Sequence, residues 1–137
     1  MKEIKPAREE RFTIGLVPVT KKNSQKIIWH RPTRRPMIVP SDKYKQYEHA
    51  AAWFMPHEKT IREPVNVRAL FYMPTKRRVD LVNLEEALLD VLVHYGVLDD
   101  DNSAIVAGMD GSRVLYDKDN PRTEVIITFL EDQEEET

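Results

Sequence analysis

Pro64-Val65-Asn66-Val67-Arg68-Ala69-Leu70-Phe71-Tyr72-Met73-Pro74 is a half-buried strand bracketed by two prolines. Val65, Val67, Ala69, Phe71 and Met73 alternate with Asn66, Arg68, Leu70 and Tyr72, a period of two. Ten residues further on the period changes. Leu84, Leu88, Val91, Leu92 and Tyr95 recur at helical spacing, so a helix is expected from Asn83 or Leu84 to Tyr95. Asn83 is the expected N-cap, with Glu86 three residues later as in a capping box, and Gly96 suits the C′ position.

Working outward, residues 12–19 read as a first strand with Phe12, Ile14 and Leu16 on one face. Ile27-Ile28-Trp29 and Met37-Ile38-Val39 suit a short hairpin. Ser41 is a reasonable cap for a helix over 42–54, whose stripe is Tyr44, Tyr47, Ala51 and Phe54. After the second helix, 104–107 is a short strand. Asp110-Gly111 is a hairpin-turn signal that should fold 112–116 back on it. Residues 123–130 form a last strand, with Val125, Ile127 and Phe129 inward. Strand, hairpin, helix, strand, helix and three strands predict an α+β fold, a small mixed or antiparallel sheet covered by two helices.

A length of 137 residues fits one domain over 12–130, after a flexible stretch over 1–11 and before an acidic, disordered tail over 131–137. No apolar run is long enough to span a membrane. Met1-Lys2-Glu3-Ile4-Lys5-Pro6 has no secretory core, and there is no cysteine, so a cytoplasmic protein is expected. The absence of cysteine also excludes disulfides and thiolate metal sites. No glycine-rich phosphate loop occurs, so no nucleotide cofactor is expected.

The net charge of −2 conceals an asymmetry. The tail from Glu131 holds five acids; the rest of the chain has 21 basic and 18 acidic residues. Residues 20–35 hold Lys21, Lys22, Lys26, Arg31, Arg34 and Arg35 and no acid, and Lys76-Arg77-Arg78 form a second cluster. Such clusters suit a polyanion, or a solvated loop.

Acids follow the second cluster: Asp80, Glu86 and Asp90, then Asp99-Asp100-Asp101. Asn83, Glu86 and Asp90 share a helix edge, with Asp80 just ahead of the first turn. The Asp run lies about 15 Å from Asn83 along the axis, so the chain must double back to bring it to Asp80. Converging carboxylates hold a divalent cation that activates water against a phosphodiester. Caps and an acidic turn explain the same residues without chemistry.

The histidines His30, His49, His57 and His94 show no metal spacing and read as surface residues. Ser24, Ser41 and Ser103 have no nearby base to make a nucleophile. Trp29 and Tyr116 can stack on unpaired bases, but core or hairpin packing is the first expectation. Trp53 and Phe54 read as core or dimer contacts.

Lys76-Arg77-Arg78-Val79-Asp80-Leu81-Val82-Asn83, then Ala87-Leu88-Leu89-Asp90-Val91-Leu92, then Gly96-Val97-Leu98-Asp99-Asp100-Asp101 resembles the RusA family of Holliday-junction resolvases. Pro18-Val19-Thr20-Lys21-Lys22-Asn23-Ser24 and Pro121-Arg122-Thr123-Glu124-Val125 resemble the family's first and last segments. The resemblance implies a homodimeric, Mg²⁺-dependent endonuclease, with Mn²⁺ as a possible substitute. It implies paired, symmetric nicks in four-way DNA junctions during recombination and repair, in bacteria or phages, with acids clustered near the dimer interface. Asp80 matches the family's first catalytic aspartate, and Asp100-Asp101 its loop pair. Asp80, Asp100, Asp101 and Asp90 are then the expected metal ligands, with Glu86 a further catalytic candidate. Lys21, Lys22, Arg34, Arg35, Lys76, Arg77 and Arg78 are the expected DNA contacts.

Two positions depart from the familiar pattern: Val82 replaces an aspartate and Glu86 a lysine. Either Glu86 supplies the missing carboxylate, with Asp90 nearby, or the protein binds junctions without cutting. An unrelated small α+β interaction protein is the remaining alternative.

Overall fold

The computed structural model describes residues 8–21, 25–40 and 42–130 of the 137-residue chain. Among them the strands are β1 (Glu9–Ile14), β2 (Gln25–His30), β3 (Arg35–Pro40), β4 (Val65–Met73), β5 (Val106–Gly108), β6 (Arg113–Tyr116) and β7 (Arg122–Phe129). Helix α1 is Asp42–Ala51, continued by a 3-10 turn over Ala52–Phe54, and α2 is Leu81–His94. The expected α+β class and element order are met. The expected cap Ser41 and the tail 131–137 lie outside the described residues.

The main sheet runs β1-β7-β4, with β5 and β6 both on the far edge of β4. β1–β7 and β7–β4 are antiparallel, while β5 and β6 run parallel to β4, so the sheet is mixed. The alternation of β4 is met except at Leu70, which is buried although it lies on the face of Asn66, Arg68 and Tyr72. Val65, Val67, Ala69 and Phe71 are buried and stand opposite Phe129, Ile127, Val125 and Thr123 of β7. Against this face pack Tyr47 and Ala51 of α1 and Leu84, Leu88, Val91 and Leu92 of α2. Fully burying each large aliphatic or aromatic side chain contributes roughly 1.5–3 kcal/mol. No helix is long and apolar enough to cross a membrane among the described residues.

Four boundaries and one connection differ from expectation. β1 begins at Glu9 and ends at Ile14, where Leu16 N–H turns back to the Ile14 carbonyl. Helix α1 tightens into its 3-10 turn at Ala52. Helix α2 begins at Leu81, so its cap residue is Asp80 and Asn83 lies inside the first turn. The reason is that the Asp80 carbonyl already accepts the Leu84 N–H, at 3.1 Å. The strand expected over 104–107 forms instead at Val106–Gly108, because the Asn102 carbonyl and side chain hold the preceding turn. The Gly96 cap is as expected: φ is +73°, Gly96 N–H meets the Val93 carbonyl and Val97 N–H the Leu92 carbonyl, a Schellman closure.

The connection is Asp110-Gly111, which does not make a β5–β6 hairpin. β5 pairs with the start of β4 and β6 with its end, one after the other along the same edge. The intervening loop is held by β4 residues. Asn66 Nδ2 donates to the Asp110 carbonyl at 3.1 Å, Asp110 N–H donates to Asn66 Oδ1 at 2.8 Å, and Ser112 Oγ accepts the Ala69 N–H at 3.0 Å. Side chains thus occupy the ladder positions that a hairpin would have supplied.

Candidate nucleic-acid interface and acid site

Two loops meet beside the N-terminus of α2. Residues 17–20 follow β1, and residues 73–79 link β4 to α2. With Lys43 of α1 they enclose a cleft of about 480 Å³. Its wall includes Lys43, Arg77 and Arg78 and no acid. The next residue along the chain is Asp80. The first turn of α2, with its unpaired N–H groups and positive dipole end, adds to the attraction for phosphate here. A larger cleft of about 630 Å³, lined by Arg8, Glu10, Lys59 and Glu63 among others, mixes both signs of charge. The basic cleft is the better site for a polyanion, despite its smaller volume.

Asp80 is exposed, and Asn83 Nδ2 donates to its Oδ2 at 3.3 Å. Glu86 is exposed further along the helix, and Val82 is 67% exposed in the first turn. Val82 therefore presents an apolar side chain to solvent where the pattern has an acid. Lys76 lies with its ammonium 5.4 Å from the Tyr116 ring centroid, a cation–π contact at the same end of β4.

Asp90 is otherwise engaged. Lys21 Nζ donates to its Oδ2 at 2.8 Å and stands 5.5 Å from the Tyr44 ring. Burial, then the Glu48 and Asp90 charges, push the Tyr44 hydroxyl far above its ordinary pKa. Among the described residues that hydroxyl makes no well-formed hydrogen bond, and Glu48 acts on it chiefly as a neighbouring charge. Asp90 thus fixes Lys21 and the loop after β1 against the middle of α2.

Asp99, Asp100 and Asp101 lie past the other end of α2. Leu98 bridges to Ile61, and Asp99 N–H donates to the Ile61 carbonyl, which holds this loop near the start of β4. Asp99 faces Arg62 at 3.6 Å. Asp100 accepts from Asp101 N–H at 2.7 Å and from Asn102 Nδ2 at 2.8 Å, which lowers its pKa below the ordinary range. The 14 residues of α2 span about 21 Å, and the chain does not double back to Asp80 between Asp101 and Val106. Within one chain the structure does not bring Asp80 and Asp100-Asp101 together. Among the described residues, no three His, Asp or Glu side chains gather in a group able to hold a metal ion. The exposed Asp80 carboxylate does suit Mg²⁺, which takes one or two protein carboxylates and keeps several waters.

Of the expected DNA contacts, Arg77 and Arg78 line the cleft, and Lys21 is tied to Asp90. Arg34 and Arg35 stand exposed at the tip of the β2–β3 ribbon, and Lys22 lies outside the described residues. Lys43 is a member of the cleft that sequence patterning missed; it sits on an exposed helix position with no local signal. His49, His57 and His94 are exposed and His30 is half-exposed, in keeping with surface roles. Neither tryptophan joins the core: Trp29 is 61% exposed, opposite Pro36 in the β2–β3 hairpin, and Trp53 is 88% exposed.

A search among curated proteins finds no match to the chain. The family model described as Endodeoxyribonuclease RusA matches residues 16–128, a span that contains the basic cleft, Asp80 and all of α2. The chain belongs to the RusA family of endodeoxyribonucleases.

Proposed function

We propose that this protein is a Mg²⁺-dependent endonuclease that resolves four-way DNA junctions by paired, symmetric nicks. The observation that carries the reading is the acid-free basic cleft immediately beside an exposed aspartate, Asp80, in a chain of an endodeoxyribonuclease family. Arg77, Arg78 and Lys43 hold the backbone phosphates. The N-terminus of α2 follows the cleft residues Arg77, Arg78 and Val79 directly along the chain, and its positive dipole end favours an anion nearby. Asp80 would hold the cation, with Glu86 the next carboxylate along the exposed helix edge. When bound, the ion polarises the phosphate and lowers the pKa of a water. Phosphate contacts fix position without reading sequence, so recognition is by DNA shape.

The active species in this reading is a homodimer, which matches the two-fold symmetry of paired nicks. A second copy is also the way in which Asp100 and Asp101 would reach a site at Asp80. Mn²⁺ is expected to replace Mg²⁺. Recombination and repair in a bacterial or phage setting is the fitting context.

A second reading, a junction-binding dimer that does not cut, is favoured by Val82 and by the engagement of Asp90 with Lys21. One experiment separates the two. A four-way junction and a linear duplex of equal length are incubated with the protein and Mg²⁺. Nicks placed symmetrically in two strands of like polarity, with the duplex intact, support the nuclease. Tight junction binding without nicks supports the second reading. Equal affinity for both DNAs would sink both.

A further inference from the structure

Strands β2 and β3 pair only with each other among the described strands, as a ribbon separate from the main sheet. Cross-strand partners share a face, so Ile27 with Ile38 and Trp29 with Pro36 form one apolar surface. It is open to solvent: Ile27 is 73%, Trp29 61% and Ile38 65% exposed. The opposite face, Ile28 against Met37, is more covered, at 38% and 39%. The tip is ordered by its own bonds: Arg34, at φ +52°, donates its N–H to the Arg31 carbonyl, and His30 Nδ1 meets Thr33 Oγ1 at 2.8 Å. Arg31, Arg34 and Arg35 project there, all exposed.

A contiguous exposed apolar face marks a binding surface, and an isolated two-stranded ribbon is marginal without a partner. Charge selects the partner. No acid occurs between Glu10 and Asp42. Two such ribbons docked face to face would bring like charges together, which is unfavourable. A nucleic acid supplies both needs at once: phosphates for the arginines and unstacked bases for the apolar face. Intact duplex offers only the first. A branch point offers both.

We propose that the β2–β3 ribbon is a branch-reading arm. Trp29, flanked by Ile27 and Ile38, stacks on bases opened at the crossover, and Arg31, Arg34 and Arg35 hold the adjoining phosphates. The arm rests on the junction reading given above and adds to it the group that distinguishes branched from linear DNA.

The test is equilibrium binding, in EDTA, to a four-way junction carrying 2-aminopurine at the crossover and to a linear duplex of equal length. Wild type, Trp29→Ala and Trp29→Phe are compared, with sedimentation of each protein alone. Trp29→Ala is expected to weaken junction binding about 5- to 150-fold and to abolish the 2-aminopurine signal. It should leave duplex affinity within about twofold, and Trp29→Phe should retain the signal. Junction affinity and signal unchanged in Trp29→Ala, with wild type still preferring the junction, overturn the arm alone. A dimer that falls to monomer on Trp29→Ala, with the signal intact, also overturns it and assigns the face to a second copy. Wild type that binds both DNAs equally overturns the junction reading and the arm together.

Discussion

Lys21 and Asp90, 69 positions apart in sequence, meet at 2.8 Å and join the loop after β1 to the middle of α2. Both side chains are about one-third exposed, 36% and 35%, so solvent screens the pair and its contribution is modest. Its role is to place the wall of the basic cleft. A double-mutant cycle with Lys21→Met and Asp90→Asn, read by urea unfolding, should return a coupling of about 0.5–1 kcal/mol. A coupling of zero would mean that the pair does not anchor the loop.

The loop between β5 and β6 depends on one side chain. Asn66 both donates to and accepts from the backbone of Asp110. Asn66→Ala removes two hydrogen bonds and is expected to cost about 1–2 kcal/mol in chemical denaturation. Asn66→Asp should cost a similar amount, because a carboxylate cannot donate to the Asp110 carbonyl.

The basic cleft predicts a salt signature. A cation that neutralises a phosphate releases counterions, so its removal should reduce the slope of log affinity against log salt by about 1. Arg77→Ala and Arg78→Ala should each do so, equally for junction and duplex. Lys59→Ala, in the larger mixed-charge cleft, should leave the slope unchanged.

Asp117 supplies a pH test away from the acid site. Arg122 Nη1 donates to it at 2.9 Å, and the N–H groups of Asn120 and Asp119 donate at 3.1 and 3.2 Å. The Arg122 bond is the main cause of a folded-state pKa below the ordinary 3.8. A lowered carboxylate pKa gives a stabilisation present above the unfolded value and lost as pH falls through the folded one. NMR titration of the Asp117 carboxyl should therefore show a midpoint below 3.8 in wild type. Arg122→Gln should move it back up.

What the sequence revealed follows from which forces are local. β4 was legible to the residue, because Pro64 and Pro74 bound it and its inward positions Val65, Val67, Ala69 and Phe71 recur at a period of two, with Leu70 the one residue of the other face that is also buried. The Gly96 cap was legible for the same kind of reason, a glycine at a left-handed position after a helical stripe. Asn83 misled as a cap because Asp80, three residues earlier, has equal cap preference and its carbonyl takes the first helical bond. Asp110-Gly111 misled because its partners lie 44 residues away, on Asn66. The acids were legible as residue types and not as a constellation. The Ile61–Leu98 bridge and the Lys21–Asp90 pair set their places, and both are long-range contacts that no local pattern encodes.

The central claim, that Asp80 beside the basic cleft is the catalytic carboxylate, is tested most directly by Asp80→Asn on a four-way junction with Mg²⁺. Junction affinity and nicking rate are measured on the same preparation. Asp80 is exposed and its side chain makes no capping bond, so the variant should fold and bind within about threefold of wild type. The paired nicks seen with wild type should fall about 100-fold or more. Nicking by Asp80→Asn at the wild-type rate would contradict the account.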